Sequence, residues 1–467
     1  MGKKMDLSKI KRVHFIGIGG IGMNAVAKLM LKIGTEVRGS DAENSKNLEE
    51  LQKMGAVVYA KHCAENLRGN TDLVIYSLAI PKTNPERIKV ANLGITEMSY
   101  PQFLGEISRR KKTIAVSGTN GKSTTTAIIG TILRESGMRP TVIVGSRVKN
   151  FEDGNLEIGD FEKGPFVVEA CEYKAAMLNL SPEIIILTNI EADHLDFYDN
   201  LEHIKKTFEE YVSLGKKIVV NADDEASLGV LKSANIVQKN IINYGIKNLS
   251  VDIRAENLRI ANNFQFFNLV RRNKNLGNIQ LRVPGVFNIY NALAAISAGL
   301  LLGVPFENIQ KSIRGFKGIY RRFEVVEDNG RILVISDYAH HPTAIQGTIR
   351  AAREFYPHRR IVVVFQPHSW NRTKNLFNEF ARSFNEADLT IIPEVYYVNG
   401  RENDKDKISS QDLVEAICKN TARAKEKIFY AENLDTCRDI TKGHLRNNDL
   451  VLLMGAGDIY KIKPLLG

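Results

Sequence analysis

Residues 115–126 read AVSGTNGKSTTT, and Gly121-Lys122-Ser123 completes the end of a phosphate-gripping loop. The common form of that loop places four residues between an early glycine and Gly-Lys-Ser/Thr. Its early glycine belongs at position 116, where this chain has Val116, and Gly118 comes first instead. The chemistry survives this change. Such a loop needs successive amide N–H groups around an anion, a lysine to neutralise the terminal phosphates and a hydroxyl that reaches Mg2+. Gly118, Thr119, Asn120, Gly121, Lys122, Ser123 and Thr124 offer these groups between the strand pattern TIAVS and the helical pattern STTTAIIGTILRES. A nucleotide-like ligand with Mg2+ is expected.

A second glycine turn stands near the start. Gly17-Ile18-Gly19-Gly20-Ile21-Gly22 follows an apolar strand and opens a helix, and Asp41 closes the next strand. Glycines there let the backbone approach a pyrophosphate at a helix N-terminus. A dinucleotide such as NAD and any other diphosphate-bearing ligand both fit this geometry, because it recognises the diphosphate and little else.

A nucleotide loop needs a metal and a second reactant to become an enzyme. Glu169 ends the strand pattern PFVVEA, and His194 follows EIIILTNI in NIEADHLD. In a parallel sheet both fall at the carboxyl ends of strands, where Ser123 is also expected. Carboxylate and hydroxyl oxygens suit Mg2+, whereas imidazole is an untypical ligand for it. Glu172, Asp193 and Asp196 are alternative ligands on the same loops. Further on, SDYAHHPTAI sets Asp337, His340 and His341 just after a strand, and FQPHSWNRTKN does the same for His368 and Arg372. Adjacent histidines cannot face one way in a strand, so they are read as part of a loop lining a cleft. Arginine at such a place can grip a carboxylate or phosphate.

The elements that must hold these groups fall into three α/β blocks. Strand and helix patterns alternate through RVHFIGIGGIGMNAVAKLMLKIGTEVRGSD and DLVIYSLAI, then from KTIAVSG to NIYNALAAISAGLLLG, then from ILVISDYA to LVLLMGAG. Residues 250–285 lack helical periodicity and are expected as short antiparallel strands. The boundaries expected are 1–110, 111–318 and 319–467, and 467 residues suit such a division. The middle block should carry a mostly parallel sheet of the phosphate-loop type, with Rossmann-like blocks on either side.

Composition narrows the function. Apolar residues make up 43% and charged residues 25%, and no apolar run has the length of a membrane span. The start, MGKKMDLSKIKRVHFIGIG, leads into a strand and not a cleavable apolar segment, and is read as unprocessed and cytoplasmic. Cys63, Cys171, Cys418 and Cys437 share no paired spacing, which argues against a zinc site or disulfide framework. The net charge of +11 is spread along the chain in short clusters such as RRKK at 109–112. It suits anionic small molecules or solvated surfaces, not nucleic acid, which needs a concentrated basic face.

In order, VHFIGIGGIGM, RGSD, YSLAIP, GTNGKSTTT, LTNIEADHLDFY, NIYNALAA, YRRFEV, DYAHHPT, QPHSWNRT and GAGDI run over nearly the whole chain. They resemble the Mur ligase family, the ATP-dependent amide-forming enzymes of peptidoglycan synthesis, and most closely the branch that adds L-alanine to UDP-N-acetylmuramate. The resemblance implies that Gly17, Gly19, Gly20, Gly22, Asp41 and Ser77 hold the UDP-sugar. By the same carry-over Lys122 meets the transferred phosphate, Ser123, Glu169 and His194 hold Mg2+, and Asn288 and Asn291 lie near the base. Arg322 falls near the phosphates, Asp337 near the ribose, and His341 and Arg372 around the reacting ends. Asn120, Ser123, Cys171 and Phe287 depart from the pattern of that branch, and a ligase that attaches another amino acid or a recycled peptide is the alternative. The oligomeric state is left open.

Overall fold

The computed structural model describes residues 7–236, 240–397, 407–420, 427–463 and 465; residues 1–6 of the opening segment lie outside them. Three sheets follow one another along the chain. The first contains β1 (Arg12–Ile16), β2 (Glu36–Ser40), β3 (Val57–Tyr59), β4 (Leu73–Tyr76) and β5 (Glu97–Ser99), in the order β3-β2-β1-β4-β5. All its pairings are parallel. The order reverses between β1 and β4, so a crevice opens at their carboxyl ends, beside the glycine turn.

The second sheet has ten strands. They are β6 (Thr113–Ser117), β7 (Thr141–Ile143), β8 (Leu156–Ile158), β9 (Phe166–Glu169), β10 (Ile184–Leu187), β11 (Lys217–Asn221), β12 (Asn240–Gly245), β13 (Ile253–Ala261), β14 (Phe264–Arg271) and β15 (Lys274–Leu281). Their order is β15-β14-β13-β12-β11-β10-β6-β9-β7-β8. The central strands are parallel and buried along their length, as both-face burial demands of Val/Ile-rich runs. From β13 to β15 the pairing turns antiparallel, as the lack of helical period in 250–285 led us to expect. β14 shows the matching alternation, with Gln265, Phe267 and Leu269 turned into the core.

The third sheet holds β16 (Glu324–Asp328), β17 (Leu333–Asp337), β18 (Arg360–Phe365), β19 (Leu389–Pro393), β20 (Ile428–Ala431) and β21 (Asp449–Met454), ordered β16-β17-β21-β18-β19-β20. Only β16 is antiparallel to its neighbour.

Packing ties the first two sheets together. One apolar cluster runs from Phe15, Val26 and Leu29 to Leu156, Tyr198 and Phe208, so the helix Ile21–Lys32 that begins at the glycine turn leans on the middle domain. The other face of the middle sheet is covered by the helices Lys122–Glu135, Val286–Leu301 and Phe306–Gly315. Two separate clusters fill the faces of the third sheet. Among the described residues no helix is long and apolar enough to cross a membrane.

Candidate active site

The phosphate loop leaves β6 and enters the helix Lys122–Glu135. Its backbone needs glycine at two points. Gly118 has φ +130°, and a Cβ there would lie 2.1 Å from Thr188 Oγ1; Gly121 has φ +87°, and a Cβ would lie 2.2 Å from Asn291 Oδ1. The loop is stitched to the segment after β10. Thr119 N–H donates to Asn189 O (2.9 Å), Asn120 N–H to Asn189 Oδ1 (2.9 Å), and Thr188 Oγ1 to Asn120 O (2.6 Å). The helix has no side-chain cap at Gly121, so the amides of its first turn, including Ser123 and Thr124, face the loop mouth.

Lys122 Nζ donates back to Gly118 O (2.5 Å) and Thr119 O (3.0 Å), and pairs with Glu172 Oε2 at 2.9 Å. Burial opposes its charge, but the Glu172 carboxylate more than offsets this, and the ammonium titrates above its usual value. Glu169, at the end of β9, accepts from Gly145 N–H (2.5 Å) and lies near the Ser123 hydroxyl. Burial lifts its carboxyl above the usual range, against the pull of these donors and of the Lys122 and Arg322 charges. Ser123 and Glu169 thus offer hard oxygen donors side by side at the loop mouth, a donor set that fits Mg2+. His194 sits across Lys122's partner, with Nε2 3.9 Å from Glu172 Oε1 and 4.0 Å from Asp193 Oδ2. Its backbone takes φ +53° and burial lowers its pKa, which leaves the imidazole neutral and able to act as a ligand. Among the described residues no group of three His, Cys, Asp or Glu side chains has metal-site geometry. Asp196 accepts from Tyr173 OH (3.1 Å).

The C-terminal domain reaches the same segment. Arg372 donates to Asp193 Oδ1 through Nη2 (2.8 Å) and Nε (3.1 Å). His341 Nδ1 lies 3.3 Å from Glu191 Oε2 and its Nε2 3.2 Å from Ala192 O, and Thr343 Oγ1 donates to Glu191 (2.8 Å). Burial opposes the Asp193 charge, but Arg372 holds the carboxyl well below the usual range. His340 turns away to Tyr338 O (2.8 Å), and burial pushes its pKa well down. His368 stacks on Tyr396. Phe287 packs on Gly347, in the C-terminal domain's helix Pro342–Phe355.

Other expected residues occupy supporting positions. Asn288 donates to Pro284 O (2.6 Å), and Asn291 links Asn288 to Thr125 at the start of the phosphate-loop helix. Both are buried, and Asn291 touches the loop itself at Gly121. Asp337 is buried and accepts the N–H groups of Phe323 and Ala339 (each 2.7 Å), which fixes the entry into the third sheet. Arg322 lies over the Tyr338 ring at 5.0 Å, and burial raises the carboxyls of Glu169 and Asp337 above their usual range although the Arg322 charge opposes this in both.

In the first domain Gly17 has φ +83° and packs on Ser77, where a Cβ would lie 3.1 Å from the serine Cβ. Gly20 caps the helix with no side-chain bond, leaving its first amides open. The neighbours of the other glycines are protein groups. Asp41 Oδ2 accepts Gly19 N–H (2.8 Å), and a Cβ on Gly22 would meet the Tyr100 hydroxyl at 2.6 Å. Sequence reading missed Thr188, Asn189 and Glu191, although their place just after a β-strand was a signal. It also missed Tyr100 and Arg147, for which no local pattern exists.

Known proteins match the chain along nearly its whole length. Residues 12–112 match the family model described as Mur ligase family, catalytic domain; residues 116–299 match the Mur ligase middle domain, and 321–457 the Mur ligase, glutamate ligase domain. The chain is 41% identical over 464 residues to a UDP-N-acetylmuramate–L-alanine ligase of Caldanaerobacter subterraneus, covering 98% of each. It is 40% identical to the enzyme of that name from Acetivibrio thermocellus, covering 98% of this chain and 96% of the relative. Among solved structures, the UDP-N-acetylmuramate-alanine ligase MurC of Thermotoga maritima superposes with a TM-score of 0.81 at 29% identity, over 97% of each chain. A murein peptide ligase of Psychrobacter arcticus gives 0.72 at 26% identity, also over 97% of each.

Proposed function

The chain belongs to the Mur ligase family, and on that premise we propose that it joins L-alanine to the carboxylate of UDP-N-acetylmuramate in the cytoplasm, at the expense of ATP, for peptidoglycan precursor synthesis. The observation that carries this reading is one constellation. An open phosphate loop and, from another domain, Arg372 with His341 converge on the segment 188–194, and the loop carries Ser123 beside Glu169. Likeness to alanine ligases at about 40% identity over nearly the full length supports these substrates. The peptide-adding alternative is less favoured, since the alanine ligase structure superposes better than the peptide ligase does.

A carboxylate resists an amine because oxide is a poor leaving group. Transfer of the γ-phosphoryl group of ATP to that carboxylate makes phosphate the leaving group and yields an acyl phosphate. Lys122 and the first amides of its helix hold the phosphates and spread charge during transfer. Ser123 and Glu169, with His194 as a third ligand, would hold Mg2+, which would supply further neutralisation of phosphate charge. The glycine turn and the N-terminus of the helix Ile21–Lys32 receive the UDP diphosphate. Arg372 and His341 stand at the loop mouth, where the amine must attack; Arg372 steadies the anionic carboxyl and phosphate groups. Asn291 and Asn288 brace the loop, and Arg322 adds positive charge beside Glu169.

The test uses UDP-N-acetylmuramate with 18O in its lactyl carboxylate. Each turnover should deliver one labelled oxygen to the released phosphate. Unlabelled phosphate alongside normal amide formation would exclude the acyl phosphate and the role given to Lys122.

A further inference from the structure

The segment Gly145–Lys149 after β7 belongs to no motif above, yet it bonds to all three domains. Gly145 N–H donates to Glu169 Oε1 (2.5 Å), and a Cβ at this glycine would lie 3.0 Å from Glu169 Oε2. Ser146 Oγ donates to Tyr320 O (3.3 Å), and the Arg147 carbonyl accepts Tyr320 N–H (2.8 Å). Val148 bridges Ile319, and Lys149 Nζ pairs with Glu324 at 3.1 Å. Residues 316–323 connect the middle domain's last helix to the third sheet, so this segment holds the hinge of the C-terminal domain. The Arg147 side chain points the other way, into the first domain. Its Nη2 donates to Asn47 Oδ1 (3.0 Å) and to Glu50 Oε1 (2.5 Å). Asn47 Nδ2 in turn donates to Gly19 O (2.8 Å) in the glycine turn.

We propose that Arg147 is a positioning residue that couples occupancy of the glycine turn to the ATP site and to the hinge. This rests on the ligands assigned above. A diphosphate seated on the turn shifts or stiffens Gly19; Asn47 passes this to Arg147, and the same short stretch of backbone carries it to Gly145, Glu169 and Tyr320. The path is a set of hydrogen bonds joined through three residues of backbone, with both ends at sites that act on one reaction. Glu50 also pairs with Lys28 (2.9 Å), so loss of Arg147 leaves this carboxylate with a partner, and the domain contact keeps the bonds from Lys28 Nζ to Asp153 O (3.1 Å) and from Asn155 Nδ2 to Ile21 O (2.6 Å).

The experiment titrates a non-hydrolysable ATP analogue with Mg2+ into the full-length protein by calorimetry, with and without saturating UDP-N-acetylmuramate. In the natural protein the UDP-sugar should tighten the analogue by at least ~5-fold, the low end of measured couplings, and the analogue should tighten the sugar by the same factor. Arg147→Ala should bring the factor under ~2 while each ligand alone binds within ~3-fold of normal, a pattern in which coupling is lost without loss of either site. Asn47→Ala cuts the same path from the other side, should lose the coupling too, and carries the test should Arg147→Ala fail to fold. Arg147→Lys, which keeps a cation for Glu50, should restore part of it. Full coupling in a folded Arg147→Ala protein, or normal binding without coupling in the natural one, overturns the inference alone. Failure of the natural protein to bind either ligand overturns the ligand assignments and the inference with them.

Discussion

Lys122 has two jobs in the structure, and a pair of substitutions separates them. Its ammonium is directed at the loop mouth, but it also neutralises Glu172, whose side chain is only 3% exposed against 15% for the lysine. Lys122→Ala therefore removes a phosphate contact and strands a buried carboxylate. Breaking a buried pair costs about 3–5 kcal/mol, and the lysine's residual exposure puts this one near the low end, about 3 kcal/mol. At roughly 2–4 °C per kcal/mol for a unit of this size, melting of the middle domain should fall by about 6–12 °C. Turnover should fall at least ~10²-fold, the usual effect of deleting one preorganised electrostatic contact. Adding Glu172→Gln removes the stranded charge, so the double variant should regain most of the melting temperature and none of the activity. The assays are thermal unfolding and phosphate release that depends on UDP-N-acetylmuramate and L-alanine. A double variant with turnover within ~10-fold of normal would show that Lys122 serves Glu172 and not the transferring phosphate, and the loop assignment would fall.

Gly19→Val should abolish UDP-sugar binding by calorimetry while an ATP analogue still binds, because its Cβ would sit 2.9 Å from Asp41 Oδ2 and drive off the carboxylate that holds the turn; normal sugar affinity would move that site elsewhere. Glu169→Gln keeps size and loses charge, so the Mg2+ dependence of turnover should shift to higher concentration with a lower maximum; an unchanged titration would transfer the metal to Glu172 or Asp193. Glu86 is buried, which opposes its charge, yet His14, Ser40 and Asn66 hold its carboxyl below the usual 4.5. The unfolded chain therefore takes up this proton first, so the contribution is full above pH 4.5 and is lost as pH falls through the lower folded value. Glu86→Gln should flatten that acid-side loss in urea midpoints measured from pH 6 to 3, and an unaltered slope would refute the reading.

The parts of the molecule that could be read from sequence are those whose physics is local. The run from TIAVS through two glycines to Lys122 and Ser123 states a strand, a tight turn and a helix within one stretch, and the structure builds them over Thr113–Ser117 and Lys122–Glu135. The antiparallel arm β13–β15 was likewise legible from its missing helical period. Partners brought together from distant positions were not. Asp41 looks like a ligand group at the end of β2, but its oxygen is taken by Gly19 N–H, 22 residues away. Asp337 looks equally available and is committed to two backbone amides. A carboxylate after a strand satisfies a ligand and a backbone turn with the same chemistry, and residue type cannot tell which it meets.

The bond that a reader of the sequence would have valued most is Arg372 to Asp193, between residues 179 positions apart. Asp193 lies on the segment that Thr119 and Asn120 hold through Asn189, so the arginine is placed relative to the phosphate loop by two steps of hydrogen bonding. On the proposed reading this order of dependence matters. The loop fixes the 188–194 segment, the segment fixes Arg372 and His341, and the C-terminal domain comes to rest only where those contacts form. A substitution in Asp193 would then misplace the groups that receive the amine without touching a phosphate contact, and the cost would fall on the second half of the reaction. Acyl phosphate would still form and would be lost to water, so ATP consumption would outrun amide production, a ratio that phosphate and product assays read directly.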